Sequence, residues 1–312
     1  MTRIPIAVVG AGKIAQDEHI PSILASDRFS LVAVVSSREV RVPDVPVFGT
    51  MIELLAQMPT VQAISVCTPP SARAELVREA LEAGKHVLME KPPVTTLSEL
   101  EALQELANER SQVLFQAWHS QHNKAVLRAK KFLLEHGVVS LRILWRENVR
   151  QWHYGQDWIW QPGGFGVCDP GVNALSILTR VMPYPVFVSR SRLVYPSNRQ
   201  APGLVDIEFT SGRSESGTMT ATFDWLAEDE EVWELHFHTK DGHEVVIEGG
   251  GRRLRQDGVV VEDQAPAEYR SIYERFAHLL ETGESDVDAA PFRLMSDVFF
   301  KGAIETAPEF HW

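Results

Sequence analysis

Two segments of this chain carry residue types that could handle a proton and a developing charge. The first is Glu90-Lys91-Pro92-Pro93, a carboxylate and an amine closing the apolar run His86-Val87-Leu88-Met89. The second is Asp169-Pro170-Gly171-Val172-Asn173, a carboxylate and a carboxamide four positions apart, on one face of a helix's first turn. A lysine ammonium stabilises negative charge growing on an oxygen, and a neighbouring carboxylate accepts or relays a proton. Each segment also has a purely structural reading. Glu90 and Lys91 could be solvated residues where a strand stops, since neither proline donates to a ladder. Asp169 followed by Pro170 fits a helix N-cap with proline at the first helical position. Glycines ahead of it, Gly163, Gly164 and Gly166, would let another group approach closely.

A third candidate is Glu147. Over 141–149 the odd positions read Leu141, Ile143, Trp145, Glu147, Val149, so a carboxylate interrupts an apolar strand row. Burial of a charge is costly, and Glu147 must either pair structurally or face a polar ligand. Half of the eight tryptophans lie between 145 and 160. Trp145, Trp158 and Trp160 read as a packed cluster. Trp152-His153, just beyond the strand end, is the better site candidate, because an aromatic face with a polar edge suits a ligand with C–H faces and hydroxyls.

These residues need elements to position them. Ile4 to Val9 is a continuous apolar run followed by Gly10-Ala11-Gly12-Lys13-Ile14-Ala15, a G-x-G-x-x-A turn. The first glycine permits the tight turn, the second admits a pyrophosphate, and Ala15 is small enough for helix–strand packing. A helix is predicted next, with its N–H groups aimed at phosphate, and then a second strand, Phe29 to Val35. That strand ends in Ser36-Ser37-Arg38, with no carboxylate before Glu39. Two hydroxyls and an arginine suit a ribose 2′-phosphate, so NADP is favoured over NAD; the alternative is an ordinary solvated loop arginine. Further on, a helix is predicted over 51–58 and a strand over 63–66. The turn Cys67-Thr68-Pro69-Pro70 follows, where contacts to the ribose and nicotinamide end are expected unless the prolines only stop the strand. Ser71 is the expected N-cap of a helix to about Ala83, with Gly84 as its stop. A helix over 97–108 and a strand over 112–118 complete a doubly wound parallel sheet. Residues 1–120 are thus expected to form a dinucleotide-binding Rossmann domain.

The pattern then changes. A helix is predicted over 124–135, and longer alternating strands at about 139–149, 186–195, 204–210, 216–225, 231–239 and 243–248, some linked by hairpin signals such as Lys240-Asp241-Gly242. Closing helices are expected over 267–281 and 291–306. Residues 121–312 therefore read as an α+β domain on a largely antiparallel, open-faced sheet.

Composition sets outer limits. The chain of 312 residues is 44% hydrophobic and 23% charged, as expected for two soluble globular domains. A net charge of −12 argues against nucleic acid as the main partner. The run Glu228-Asp229-Glu230-Glu231 reads as a short acidic turn. Cys67 and Cys168 have neither disulfide nor metal-ligand spacing, and no metal is expected. No apolar run reaches membrane-spanning length, and the N-terminus lacks a signal-peptide layout, so a cytoplasmic location is expected.

Taken together, Gly10-x-Gly12-x-x-Ala15, Glu90-Lys91-Pro92 and Gly163-Gly164…Asp169-x-Gly171-x-Asn173 resemble the glucose–fructose oxidoreductase/inositol dehydrogenase/MocA family over the whole chain. More narrowly, Asp17-Glu18-His19, Trp118-His119-Ser120, the segment 148–153, Trp158-Ile159-Trp160-Gln161-Pro162 and the segment 169–177 are similar to bacterial D-galactose/L-arabinose 1-dehydrogenases. The resemblance implies that the Glu-Lys-Pro turn lies under the nicotinamide. It implies catalytic Lys91 partnered by Asp169, and His119, Glu147, Trp152, His153, Asn173 and Trp225 around a sugar. Cofactor contacts would come from Gly10, Gly12, Lys13, Ile14, Ser36, Ser37, Arg38, Cys67, Thr68, Pro69, Glu90 and Lys91. Inositol-type members carry histidine where this chain has Asn173, and asparagine takes no proton near neutral pH. The base is then Asp169 or Lys91. The expected activity is oxidation of an aldose C1 hydroxyl to an aldonolactone, with a homodimer through the open sheet face. A catalytically silent sugar and dinucleotide sensor, or a dehydrogenase of another sugar, is the alternative.

Overall fold

The computed structural model describes residues 3–212, 217–226, 231–265 and 267–312. Glu228, Asp229 and Glu230 of the acidic run and residue 216, the expected start of a strand, lie outside them. The chain forms two compact units, one of residues 1–119 with 267–289 and one of 120–266 with 290–312. Among the described residues no helix is long and apolar enough to cross a membrane.

The first unit is built on six parallel strands: β1 (Ile4–Val9), β2 (Phe29–Val35), β3 (Val47–Phe48), β4 (Ala63–Val66), β5 (His86–Met89) and β6 (Leu114–Gln116). Their order, β3-β2-β1-β4-β5-β6, reverses direction between β1 and β4, the arrangement of dinucleotide-binding sheets. Register makes the consequence explicit. Val9 lies beside Val35 and Val66, Val66 beside Met89, and Met89 beside Gln116. The residues that follow, Ser36, Gly10, Cys67, Glu90 and Ala117, therefore leave the sheet along one edge, at the carboxyl ends of the strands.

Residues 267–289 were expected in the second half, yet they cluster with the first unit. The helix Glu268–Thr282 lays Tyr269, Ile272, Tyr273 and Phe276 into the same core as Ile6, Val8, Phe29 and Phe115. Phe276 stacks on Phe29 at 5.7 Å and on Phe115 at 6.1 Å. After the helix, Asp286 exchanges backbone hydrogen bonds with Leu114 and Gln116 along the outer edge of β6. The helix after the glycine turn is not regular: Ala15–His19 is π-helical and runs into Ile20–Leu24. The helix of 13 residues beginning at Pro70 puts Ser71 inside its first turn; Pro69 precedes it, and Ser71 caps nothing.

The second unit carries nine strands: β7 (Val138–Arg146), β8 (Phe187–Pro196), β9 (Leu204–Thr210), β10 (Met219–Asp224), β11 (Val232–Thr239), β12 (Glu244–Glu248), β13 (Arg253–Gln256), β14 (Val259–Asp263) and β15 (Gly302–Ala307). Their order is β14-β13-β12-β11-β7-β10-β9-β8-β15. All pairs are antiparallel except β7–β10 and β8–β15. The expected helix over 291–306 is half right: Ala290–Phe300 is helical, and 302–307 is the edge strand β15. Strands β13 and β14 had no counterpart among the expected elements. Helices Lys124–His136, Cys168–Val181 and Ala290–Phe300 pack with the sheet. The opposite rows are polar, with Arg192 of β8 bound to Asp206 of β9 at 3.0 Å and to Glu305 of β15 at 2.7 Å.

Candidate functional site

The glycine turn is shaped by its neighbour. A β-carbon on Gly10, at φ +90°, would stand 2.7 Å from Thr68 Cγ2 and 2.8 Å from the Thr68 nitrogen. The Cys67-Thr68 turn thus forces glycine at position 10. Around Gly12 there is open space within 4 Å, as a pyrophosphate-binding backbone requires. Lys13 is exposed and pairs with Asp17 one helical turn on. Ile14 is exposed beside it. In the β2 loop the Ser36 hydroxyl donates to the Arg38 carbonyl at 2.9 Å and accepts from the Arg38 N–H at 3.1 Å. That hydroxyl is occupied in shaping the loop. Ser37 and Arg38 stay exposed, which leaves a hydroxyl and a guanidinium to meet a phosphate.

On the same edge, after β5, lies the Glu-Lys-Pro turn, and its carboxylate points inward. Glu90 is buried. Its Oε2 accepts the Lys91 backbone N–H at 2.7 Å, and its Oε1 accepts the Tyr269 hydroxyl at 2.7 Å. His19 Nε2 sits 3.1 Å from the same Oε1. On its other side His19 Nδ1 lies 2.8 Å from the Tyr273 hydroxyl and 3.2 Å from Ser65 Oγ. Burial opposes charge on both partners. For Glu90, the His19 hydrogen bond and charge outweigh it and hold the carboxyl down at about 2. For His19, Cys67, Tyr273 and Glu90 outweigh burial and raise the imidazole well above its ordinary value. Both shifts favour the charged forms of the pair. Glu90 is therefore a structural anion that fixes where the Lys91 main chain leaves the sheet.

Arg73 secures the same turn from the helix Pro70–Glu82. It is buried, and its guanidinium donates to the carbonyls of Glu90, Pro92, Pro93 and Thr68. One side chain thus ties the turns after β4 and β5 together. The Lys91–Pro92 peptide is cis. Lys91 itself is half-buried. His119, at the end of the edge, has its Nδ1 2.6 Å from Glu268 Oε2 and stacks on Tyr269 at 5.5 Å. Burial lowers its pKa, but Glu268 and then Glu90 more than compensate and raise it.

In the second unit, strand directions explain the aromatic cluster. β7 and β10 run parallel, with Trp145 beside Phe223, so Glu147 and Trp225 emerge at the same end. β11 runs antiparallel to β7, with Trp233 beside Trp145, and so begins at that end. The Glu147 carboxylate consequently accepts the Trp225 indole N–H at 2.9 Å and the Trp233 indole N–H at 3.2 Å. His153 lies 5.2 Å from Trp225 and Trp152 5.7 Å from Trp233, ring to ring. Trp152, on the short helix Val149–Trp152, also donates to Glu231 at 2.5 Å. The strand stops at Arg146, one residue before Glu147.

The helix Cys168–Val181 starts two residues earlier than expected, which places Asp169 in its first turn rather than at the cap. The glycines ahead of it serve the protein itself. A β-carbon on Gly164 would stand 2.1 Å from the Trp158 carbonyl, and one on Gly166 2.2 Å from that of Pro202. Asp169 and Asn173 are both buried. Among the described residues, the Asn173 Oδ1 acceptor has no hydrogen-bond partner. A buried unfilled acceptor is costly unless a ligand hydroxyl satisfies it.

The structure thus gathers the expected cofactor residues of the first unit along one sheet edge, and Glu147, Trp152, His153 and Trp225 at one end of the second unit's sheet. Sequence reasoning missed Trp233, Arg73, His19, Tyr269 and Tyr273. Arg73 carried a signal: it shares the buried stripe Arg73, Val77, Ala80, Leu81, where a lone cation calls for acceptors.

A sheet of this order, with an open glycine turn at its reversal point, defines a dinucleotide-binding protein carrying a second α+β unit. Residues 4–118 match the model of the oxidoreductase family with an NAD-binding Rossmann fold (GFO/IDH/MocA). A galactose 1-dehydrogenase of Pseudomonas fluorescens is 39% identical over 311 residues, covering all of both chains. The crystal structure of a D-galactose-1-dehydrogenase protein from Rhizobium etli is 43% identical with a TM-score of 0.93, covering 100% of this chain and 99% of that one. A 3-ketoreductase from Actinomadura kijaniata, solved with NADP and TDP-benzene, shares the fold at 20% identity and a TM-score of 0.84, covering 98% of this chain and 100% of that one. The chain belongs to this oxidoreductase family.

Proposed function

We propose that the protein is an aldose 1-dehydrogenase that oxidises the C1 hydroxyl of D-galactose, and of the configurationally related L-arabinose, to the aldonolactone. The observation that carries this reading is full-length similarity to two galactose 1-dehydrogenases, joined to an intact Lys91 and Asp169. Bound NADP, with NAD as the weaker alternative, supplies the hydride acceptor. Gly10, Gly12, Lys13 and Ile14 would hold its pyrophosphate, Ser37 and Arg38 its 2′-phosphate, and the Cys67-Thr68-Pro69 turn its ribose and nicotinamide end. Lys91 stabilises negative charge developing on the C1 oxygen, and Lys91 with Asp169 handles the proton leaving that oxygen. Asn173 discriminates among sugars, because a missing hydroxyl leaves its buried acceptor unfilled, and Glu147, which already accepts from the Trp225 and Trp233 indoles, shares in the sugar contacts. His119, Trp152, His153 and Trp225 complete the sugar contacts. Pairing of two copies through the polar face of the nine-stranded sheet is proposed alongside, and sedimentation velocity would return a dimer or monomer mass. The function is tested by an aldose panel run with NAD and with NADP. Reduced cofactor should form fastest with D-galactose or L-arabinose and NADP. Sugar binding with no reduced cofactor from any aldose would favour a sensor and refute the enzyme.

A further inference from the structure

A cluster of ligating side chains that plays no part in the proposed function lies in the second unit. His136 ends the helix Lys124–His136, while Asp241 and His243 flank Gly242 in the β11–β12 hairpin. One ligand atom from each lies within 4.8 Å of the other two. His136 Nδ1 is 2.6 Å and His243 Nε2 3.9 Å from the same atom, Asp241 Oδ2. Donors around a tetrahedral ion held at about 2.0 Å stand roughly 3.3 Å apart, so small side-chain rotations would enclose one.

What separates this group from an ordinary surface ion pair is its support. Thr239 Oγ1 donates to Asp241 Oδ1 at 2.6 Å, which commits that oxygen and leaves Oδ2 facing both histidines. Asp257 Oδ2 lies 2.8 Å from His243 Nδ1. A proton on Nδ1 then donates to the carboxylate and leaves Nε2 with its lone pair, as in carboxylate–histidine–metal chains. Phe132 stacks on His136 at 4.1 Å and limits its rotation. All three ligand side chains remain partly open to solvent, so an ion can enter.

We propose that His136, Asp241 and His243 form a binding site for a borderline divalent cation of the zinc class, with a fourth position open to water. Imidazole and carboxylate donors suit such ions. The site would clamp the end of the helix to the hairpin, which are separated by about a hundred residues of sequence and so show no metal-ligand spacing. Binding replaces the His136–Asp241 hydrogen bond with two bonds to the ion, and the imidazole proton moves from Nδ1 to Nε2.

The test is zinc titration of untagged full-length protein by calorimetry, with thermal unfolding in parallel. Wild type should take up one ion per chain saturably in the micromolar range and melt at a higher temperature. His243→Ala and Asp241→Asn should weaken uptake at least about tenfold and cancel the thermal gain. Asp257→Asn keeps all three ligands yet removes the outer carboxylate, and should weaken uptake about tenfold. Circular dichroism verifies that each variant is folded. Absence of saturable uptake by wild type, or uptake undiminished in either ligand variant, would overturn the proposal.

Discussion

Replacing His19 with glutamine isolates the charge that holds the Glu-Lys-Pro turn. Glutamine can still donate a hydrogen bond to Glu90 but cannot be a cation. The structure sets the size of the effect. Glu90 is held down at about 2 from an ordinary 4.5, against the opposing push of burial, chiefly by the His19 hydrogen bond and charge. That gap corresponds to roughly 3 kcal/mol of preference for the ionised carboxylate in the folded state. It falls in the range of about 3–5 kcal/mol seen when a buried pair loses one partner. The rise of His19 comes first from Cys67 and Tyr273 and only then from Glu90, and it is not added to this figure. The sign gives a pH window. The Glu90 contribution is complete above its ordinary 4.5 and is lost as pH falls through about 2. The His19 contribution is complete below its ordinary 6.5 and is lost as pH rises through the elevated folded value. Stability from the pair thus peaks between these two ordinary values. Urea unfolding of wild type and His19→Gln at about pH 6 should differ by roughly 3 kcal/mol. The difference should shrink on the alkaline side, and hydrogen exchange should accelerate over residues 86–93. A loss below about 0.5 kcal/mol, or an unchanged pH dependence, would refute the assignment of an ionised pair.

Three further outcomes follow from the site. Lys91→Ala should lower kcat by about 100- to 1,000-fold while the fold is retained, measured by steady-state kinetics with circular dichroism as control. Arg38→Ala should raise KM for NADP by about 10- to 100-fold, the worth of a charge-assisted phosphate contact, and leave KM for NAD nearly unchanged. Glu147→Gln turns an amide N–H₂ toward one of the two indole donors, and should cost about 1–3 kcal/mol in urea unfolding and lower kcat/KM for the sugar.

Much of the first unit was legible because strands buried on both faces read as continuous apolar runs and end in conspicuous turn residues. Gly10, Cys67 and Glu90 each follow such a run, so the edge on which they meet could be anticipated. The return of residues 267–289 could not. The stripe Tyr269, Ile272, Tyr273, Phe276 announces a buried helical face but says nothing about the core that receives it. β15 was invisible for the opposite reason: Gly302–Ala307 is mostly exposed, so no apolar alternation marks it. Glu147 was recognised as an anomaly in an apolar row. Its second indole partner, Trp233, depended on the antiparallel register of β11 with β7, a long-range pairing that local pattern does not encode. Asp169 fitted a cap by residue type, yet the cap is Val167, two residues earlier, and shifts of one or two residues at helix ends are beyond local propensity.

In the proposed reaction C1 of the sugar gives up its hydrogen as hydride. D-Galactose deuterated at C1, incubated with the enzyme and NADP, tests it most directly by mass spectrometry of both products. Deuterium is expected in the reduced nicotinamide, with a lactone that lacks it. Reduced cofactor free of deuterium, with the label retained in the sugar, would contradict oxidation at C1.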